Sequence, residues 1–161
     1  MGLPCSGKTT IARVLVPSLP SPCLSLDGDA VRTGLCSDLG FSLPDRRENL
    51  RRVREVAGVV NRQGICVVAA NITPYEKDRE DIQRVLDRVI LVWMDAPTEV
   101  CEERDVKGMW EAARRGDLPH FTGVDDPFEK PKGHDLRLTP QDTVSQCVKK
   151  IMSALYGRGW A

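Results

Sequence analysis

The chain begins MGLPCSGKTT, and Gly2, Gly7, Lys8 and Thr9 fill the fixed positions of G-x-x-x-x-G-K-[ST]. No other stretch restricts the fold as strongly. Small residues let such a loop curl until successive N–H groups point inward as a nest for phosphate oxygens. Lys8 is then placed to reach the β- and γ-phosphates, and the Thr9 hydroxyl to bind Mg²⁺. The apolar stretch 11–16 reads as a helix whose positive N-terminus faces those phosphates. The motif predicts nucleotide binding without naming a reaction, and a chance glycine-rich turn is the competing explanation.

Four short apolar runs read as strands, 23–26, 65–71, 89–95 and 136–139, with amphipathic helical patterns over 46–63 and 78–88 and a last helix over 143–155. Strands alternating with helices imply an α/β fold, a mostly parallel sheet covered on both faces. Pro17, Pro20 and Pro22 should end the first helix early, and the Gly157–Arg158–Gly159 tail should fray. A loop of this kind ordinarily leaves the carboxyl end of a buried central strand, yet only Met1 precedes Gly2. The expectation is one domain, 1–161, truncated at its start. A missing strand leaves about five residues' worth of neighbouring backbone unpaired, at ~1–3 kcal/mol for each group that stays buried.

With 161 residues the chain has the size of one domain with a real core. Lys plus Arg number 23 and Asp plus Glu 23, so no net field draws it to nucleic acid or acidic membrane. No apolar run approaches a membrane span and no signal-peptide pattern opens the chain. The 6 cysteines are scattered with no C-x-x-C, and only 2 histidines accompany them, which argues against a zinc site or a disulfide scaffold. Reduced cysteines in a cytoplasmic protein are the expectation.

Chemistry should gather at the carboxyl ends of the strands, the ligand edge of open α/β sheets. "LDGDAVR" sets Asp27, Asp29 and Arg32 there. Two carboxylates beside Mg·ATP can orient metal-bound water and an acceptor hydroxyl, and an arginine can hold an anionic acceptor. A plain turn with Asp27 as N-cap competes with that reading. "GFSLPDRRENLRR" adds Phe41, an aromatic fit to stack on a base, and Arg46 and Asn49 one helical turn apart. Arg47, Arg51 and Arg52 read as a solvated face. "NITPYEKDR" turns at Thr73–Pro74, "CEERDVKGMW" carries Arg104, Asp105 and Lys107 on a lid, and "HFTGVDDPFEKP" makes a long loop of the functional kind.

In order and spacing, "GLPCSGKTT", "LDGDAVR", "DLGFSLPDRRENLRR", "ITPYEKDR", "DAPTEVCEERDVKG" and "FTGVDDPFE" resemble the adenylylsulfate kinases over nearly the whole chain. Members of that family use ATP to phosphorylate the ribose 3′-hydroxyl of adenosine 5′-phosphosulfate (APS), giving PAPS and ADP for sulfate assimilation. The resemblance implies a P-loop kinase fold with strand order 2-3-1-4-5, Mg²⁺ as cofactor, a homodimer, and fusion to or cooperation with an ATP sulfurylase. Carried over position by position, Cys5, Ser6, Gly7, Lys8, Thr9 and Thr10 hold the ATP phosphates, Thr9 and Asp27 attend the metal, and Asp29 and Arg32 hold APS, Asp29 nearest the attacking hydroxyl. Phe41 and Phe121 resemble the walls around the APS adenine, while Arg46, Asn49, Ile72, Thr73, Lys107 and Thr122 match the remaining contacts. Lys8, Asp29 and Thr73 are the catalytic candidates, and Arg104 with the Thr139 region would flank the ATP base.

The chain departs from the family at several positions. Cys5 stands where glycine is more frequent. If its φ is negative its N–H serves phosphate equally well, and nearby Lys8 with the helix N-terminus should favour its thiolate. Thr73 replaces a serine proposed as a phosphorylated intermediate; the hydroxyl persists, and direct in-line transfer needs only positioning and charge neutralisation. Glu76 replaces a frequent arginine, and Pro119–His120 alter the approach to the Phe-Thr-Gly loop, changes that should tune APS affinity.

Two other functions compete. A kinase for gluconate or shikimate would share the loop and the acidic pair, but a small sugar or acid does not require Phe41 and Phe121. A non-catalytic nucleotide-binding module would fit a missing first strand, but not the full set of Lys8, Thr9, Asp29, Arg46 and Lys107.

Overall fold

A computed structural model describes residues 1–160. Its strands are β1 (Cys23–Asp27), β2 (Cys66–Ala70), β3 (Val92–Met94) and β4 (Leu136–Leu138), and its helices α1 (Lys8–Ser18), α2 (Gly28–Arg32), α3 (Leu43–Asn61), α4 (Glu76–Val85), α5 (Thr98–Glu103), α6 (Met109–Arg114) and α7 (Val144–Gly157). All pairing is parallel. β1 lies on β2 with Cys23 opposite Cys66 and Asp27 opposite Ala70, and β3 lies on β4 with Val92 opposite Leu136.

Between these two pairs run Met1 and Gly2. The Met1 ammonium donates to the Val92 carbonyl at 2.7 Å, Met94 N–H to the Met1 carbonyl at 2.8 Å, and Gly2 N–H to the Ile72 carbonyl at 3.0 Å. In the expected order a strand ahead of the loop lies along this line.

Strand alternation makes the three layers. On β2, Val68 joins Ile11, Leu15, Leu138, Cys147, Val148 and Ile151 beneath α1 and α7, whereas Val67 joins Leu26, Val31 and Val53 beneath α3. On α3, Arg46, Asn49, Leu50, Val53 and Ala57 are buried along one face at helical spacing. Ser42 caps this helix through Asp45 N–H, and Thr143 with Gln146 closes a reciprocal capping box on α7. A third cluster, Ala96, Cys101, Trp110, Ala113 and Phe121, sits under α5 and α6 and receives Leu3 and Cys5 from the phosphate loop.

Several expectations change. Pro17 lies inside α1, in a last turn that ends at Ser18, so it does not end the helix early. The tail is tied down: Gly157 is helical, Arg158 pairs with Asp135 at 2.6 Å, and Arg88 and Arg158 both lie over the Trp160 ring. The lid contains two six-residue helices, α5 and α6, joined by a turn at Asp105. That carboxylate accepts the N–H groups of Met109, Trp110 and Glu111. All 6 cysteines are free, as expected.

Candidate active site

The carboxyl ends of β1, β2 and β3 open into one cavity of about 1160 Å³, shared with the phosphate loop and the lid. Cys5, Ser6, Gly7, Lys8, Thr9 and Thr10 line its floor, where α1 begins. Gly7 takes φ +97°, and no side chain caps α1, so the first N–H groups of this helix remain for a ligand. Lys8 Nζ donates to the carbonyls of Gly2 at 2.9 Å and Leu3 at 2.6 Å, and burial lowers its pKa to about 8.

Thr9 Oγ1 donates to Asp27 Oδ2 at 2.7 Å, so two hard oxygen donors of the kind Mg²⁺ takes stand side by side. No cluster of three His, Cys, Asp or Glu forms among the described residues. The pair therefore suits an ion that arrives with phosphate oxygens and water filling its other positions. The other Asp27 oxygen accepts Asp29 N–H at 3.0 Å, which makes Asp27 the N-cap of α2 as well. The N-cap reading of this residue holds, and the same carboxylate keeps its contact with Thr9.

Asp29 is exposed toward the cavity and pairs with Lys107 from the lid, an interaction that also raises the lysine pKa. Arg32 donates to the carbonyls of Leu39 and Gly40 at 3.2 and 2.8 Å, and its guanidinium lies 4.3 Å from the Phe41 ring centre. Phe41 is 49 % exposed, an aromatic face on the cavity wall. Arg46 is buried and engaged by the protein: it donates to Phe41 O at 2.8 Å and to His120 O, and lies 3.5 Å from Asp126. Asn49 is buried beside it, with Nδ2 lacking a partner.

Across the cavity, Ile72 and Thr73 continue from β2. Thr73 takes φ +50°, rare for a β-branched residue. Phe121 lines the cavity with one edge while packing edge-on against Trp110 at 5.0 Å, so it is core and wall together. Thr122 is the exception among the expected residues. It is fully buried behind Phe121 and off the wall, with Oγ1 unpartnered. Arg104 and Thr139 also line the cavity.

Cys5 departs from expectation. Its φ is +62°, and burial together with Asp105, 3.8 Å from Sγ, pushes the thiol pKa up rather than down. Lys8 opposes this but is outweighed. Glu76 lies outside the cavity, held by Arg79 and by Lys132 N–H, whereas Pro119 and His120 do line it.

Arg79 and Asn71 were not legible as site residues. Arg79 is 1 % exposed and donates to the carbonyls of Thr73, Pro74 and Glu129, binding the Thr73 turn to the 129 segment. In sequence it is one arginine among many on an amphipathic helix. Asn71 follows the last residue of β2 at the cavity, where an asparagine reads as a turn former.

The family model for adenylylsulphate kinase matches residues 1–139. The adenylyl-sulfate kinase of Marinobacter nauticus is 46 % identical over 163 residues, covering 98 % of this chain and 82 % of that protein. That of Yersinia pestis is 43 % identical, covering 98 % and 76 %. The solved structure of the Mycobacterium tuberculosis APS kinase CysC in complex with AMPPNP and APS superimposes with a TM-score of 0.94 at 37 % identity, covering 97 % of this chain and 94 % of that one. The joined phosphate loop, acidic turn and aromatic wall thus occur in a fold, and at a level of identity, that place the chain in the adenylylsulphate kinase family.

Proposed function

We propose that this protein transfers the γ-phosphoryl group of ATP to the ribose 3′-hydroxyl of APS, releasing ADP and PAPS. One observation carries the proposal: the phosphate loop, Asp29, Phe41 and Phe121 line one and the same cavity. A nucleotide donor and an adenine-bearing acceptor both find their chemistry there.

In this reading the N–H groups of residues 5–10 and Lys8 hold the donor phosphates. Thr9 and Asp27 would hold Mg²⁺, which would supply charge neutralisation on the phosphates. Asp29 accepts a hydrogen bond from the 3′-hydroxyl and aims its oxygen at the γ-phosphorus. As the new O–P bond forms, the bond to the β,γ-bridging oxygen breaks and its electrons leave with ADP. The hydroxyl proton passes to Asp29 and then to water. Arg32 and Lys107 offset the charge of the phosphosulfate, and Phe41 stacks on the acceptor adenine, with the edge of Phe121 opposite. Arg104 and Thr139 flank the base of ATP, and the Thr73 hydroxyl positions APS without becoming phosphorylated.

The proposal includes cytoplasmic action, a homodimer, and cooperation with an ATP sulfurylase as the source of APS. Among the described residues no helix is long and apolar enough to cross a membrane.

The deciding experiment is a coupled ADP-release assay with APS, gluconate, shikimate and nucleoside monophosphates as acceptors, with and without Mg²⁺. Turnover should require APS and Mg²⁺; an equal rate on any other acceptor overturns the assignment.

A further inference from the structure

Asn71 follows the last residue of β2 and faces the turn that follows β1: its Oδ1 lies 3.3 Å from where a Cβ on Gly28 would sit. The side chain lines the cavity, yet the residue is only 9 % exposed. Its Nδ2 has no hydrogen-bond partner among the described residues. A buried amide without a partner costs stability that an apolar side chain of similar size would not. Such a group persists where something other than the protein completes its hydrogen bonds.

Position narrows what that partner is. Gly28 sits between Asp27 and Asp29, and the next residues along the chain are Ile72 and Thr73. Asp27, Gly28, Asp29, Ile72 and Thr73 line the same cavity as Asn71, and the proposed function gives Asp29 and Thr73 to the acceptor. An amide is also neutral. It can donate to an oxygen beside Asp29 without neutralising that carboxylate, which a lysine there would do.

We infer that Asn71 is a specificity-determining residue, hydrogen-bonding the acceptor at its ribose-hydroxyl end. The inference rests on the APS kinase reading above. A site built to complete a buried hydrogen bond with its substrate rejects acceptors that cannot make it, because the protein group is then left unpaired.

The test uses the full chain carrying Asn71→Leu or Asn71→Ser, with kcat and KM measured separately for APS and ATP, and the melting temperature of each variant. Leucine keeps the volume and removes the donor. It should lower kcat/KM for APS at least tenfold, change KM for ATP less than twofold, and leave the melting temperature equal or higher. Serine should recover part of the loss. Unchanged kcat/KM for APS in Asn71→Leu overturns the inference. So does a lower melting temperature with equal losses toward both substrates, the mark of a purely structural amide. If Asn71→Leu does not fold, Asn71→Ser decides by the same split. A wild-type chain that folds and binds ATP but does not turn over APS overturns the activity reading, and this inference with it.

Discussion

Arg79 Nε donates a 3.1 Å hydrogen bond to the carbonyl of Thr73, whose φ of +50° threonine rarely adopts. The same guanidinium binds the Pro74 carbonyl at 2.8 Å and the Glu129 carbonyl at 2.7 Å, and pairs with Glu76 at 2.7 Å. Left-handed backbone costs an L-residue with a Cβ about 1–2 kcal/mol, and these bonds hold it in place. Arg79→Ala should therefore destabilise the fold by about 3 kcal/mol or more, since it orphans buried carbonyls and a carboxylate together. Thr73→Gly should leave stability equal or up to about 1 kcal/mol higher while lowering turnover with APS. Urea unfolding with parallel kinetics checks both. A Thr73→Gly variant less stable by a full kcal/mol would mean that the turn is unstrained.

Asp29 and Lys107 make an exposed pair, with side chains 73 % and 56 % accessible. Exposed pairs contribute little to stability. Asp29→Asn should shift unfolding by no more than about 0.5 kcal/mol while lowering kcat about 100-fold, with KM for ATP preserved. A variant of near-normal kcat removes Asp29 from the acceptor hydroxyl.

Phe41, half exposed beside Arg32, has little of the core to lose. Phe41→Ala should weaken APS binding by about 1–3 kcal/mol, the usual worth of a base–aromatic stack, at unchanged melting temperature. Titration calorimetry with APS measures it, and unchanged affinity in a folded variant dismisses the stacking wall.

Cys5 occupies a left-handed position with its thiol turned toward Asp105. Cys5→Gly should raise stability by about 1 kcal/mol through relief of that backbone. The raised pKa makes the thiolate scarce at neutral pH, so alkylation at Cys5 should be slow at pH 7 and accelerate above pH 9. Peptide mass spectrometry after timed labelling reads the rate; rapid labelling at pH 7 contradicts the Asp105 contact.

The sequence made some of this plain for physical reasons. A phosphate loop must be small-residued and followed by a helix, so residues 2–9 read directly, and "LDGDAVR" closes a short strand interrupted only by Ser25. Strand ends were read too long at 65–71 and 89–95 because apolar residues, Ile65 and Val89 to Leu91, precede the first paired backbone of β2 and β3. The helices α5 and α6 have six residues each, too few for a helical period to stand out. Phe121 was read as a wall because nothing in sequence tells which aromatic will find Trp110, 11 positions away. Arg79 and Asn71 stayed hidden because their roles depend on where a distant carbonyl, or none, comes to lie.

The split arrangement of the strands also divides the labour of the reaction. The turns after β1 and β2 carry Asp29, Asn71 and Thr73, which the proposed reaction gives to the acceptor, while those after β3 and β4 lead to Arg104 and Thr139, which it gives to ATP. Met1 and Gly2 are the backbone seam where the two meet, and α1 packs across β1, β2 and α7 above it. The gap an incoming hydroxyl must cross to reach phosphorus is therefore gauged by that seam. Loosening it should appear as lost commitment to transfer: both substrates still bound, fewer bound pairs aligned to react.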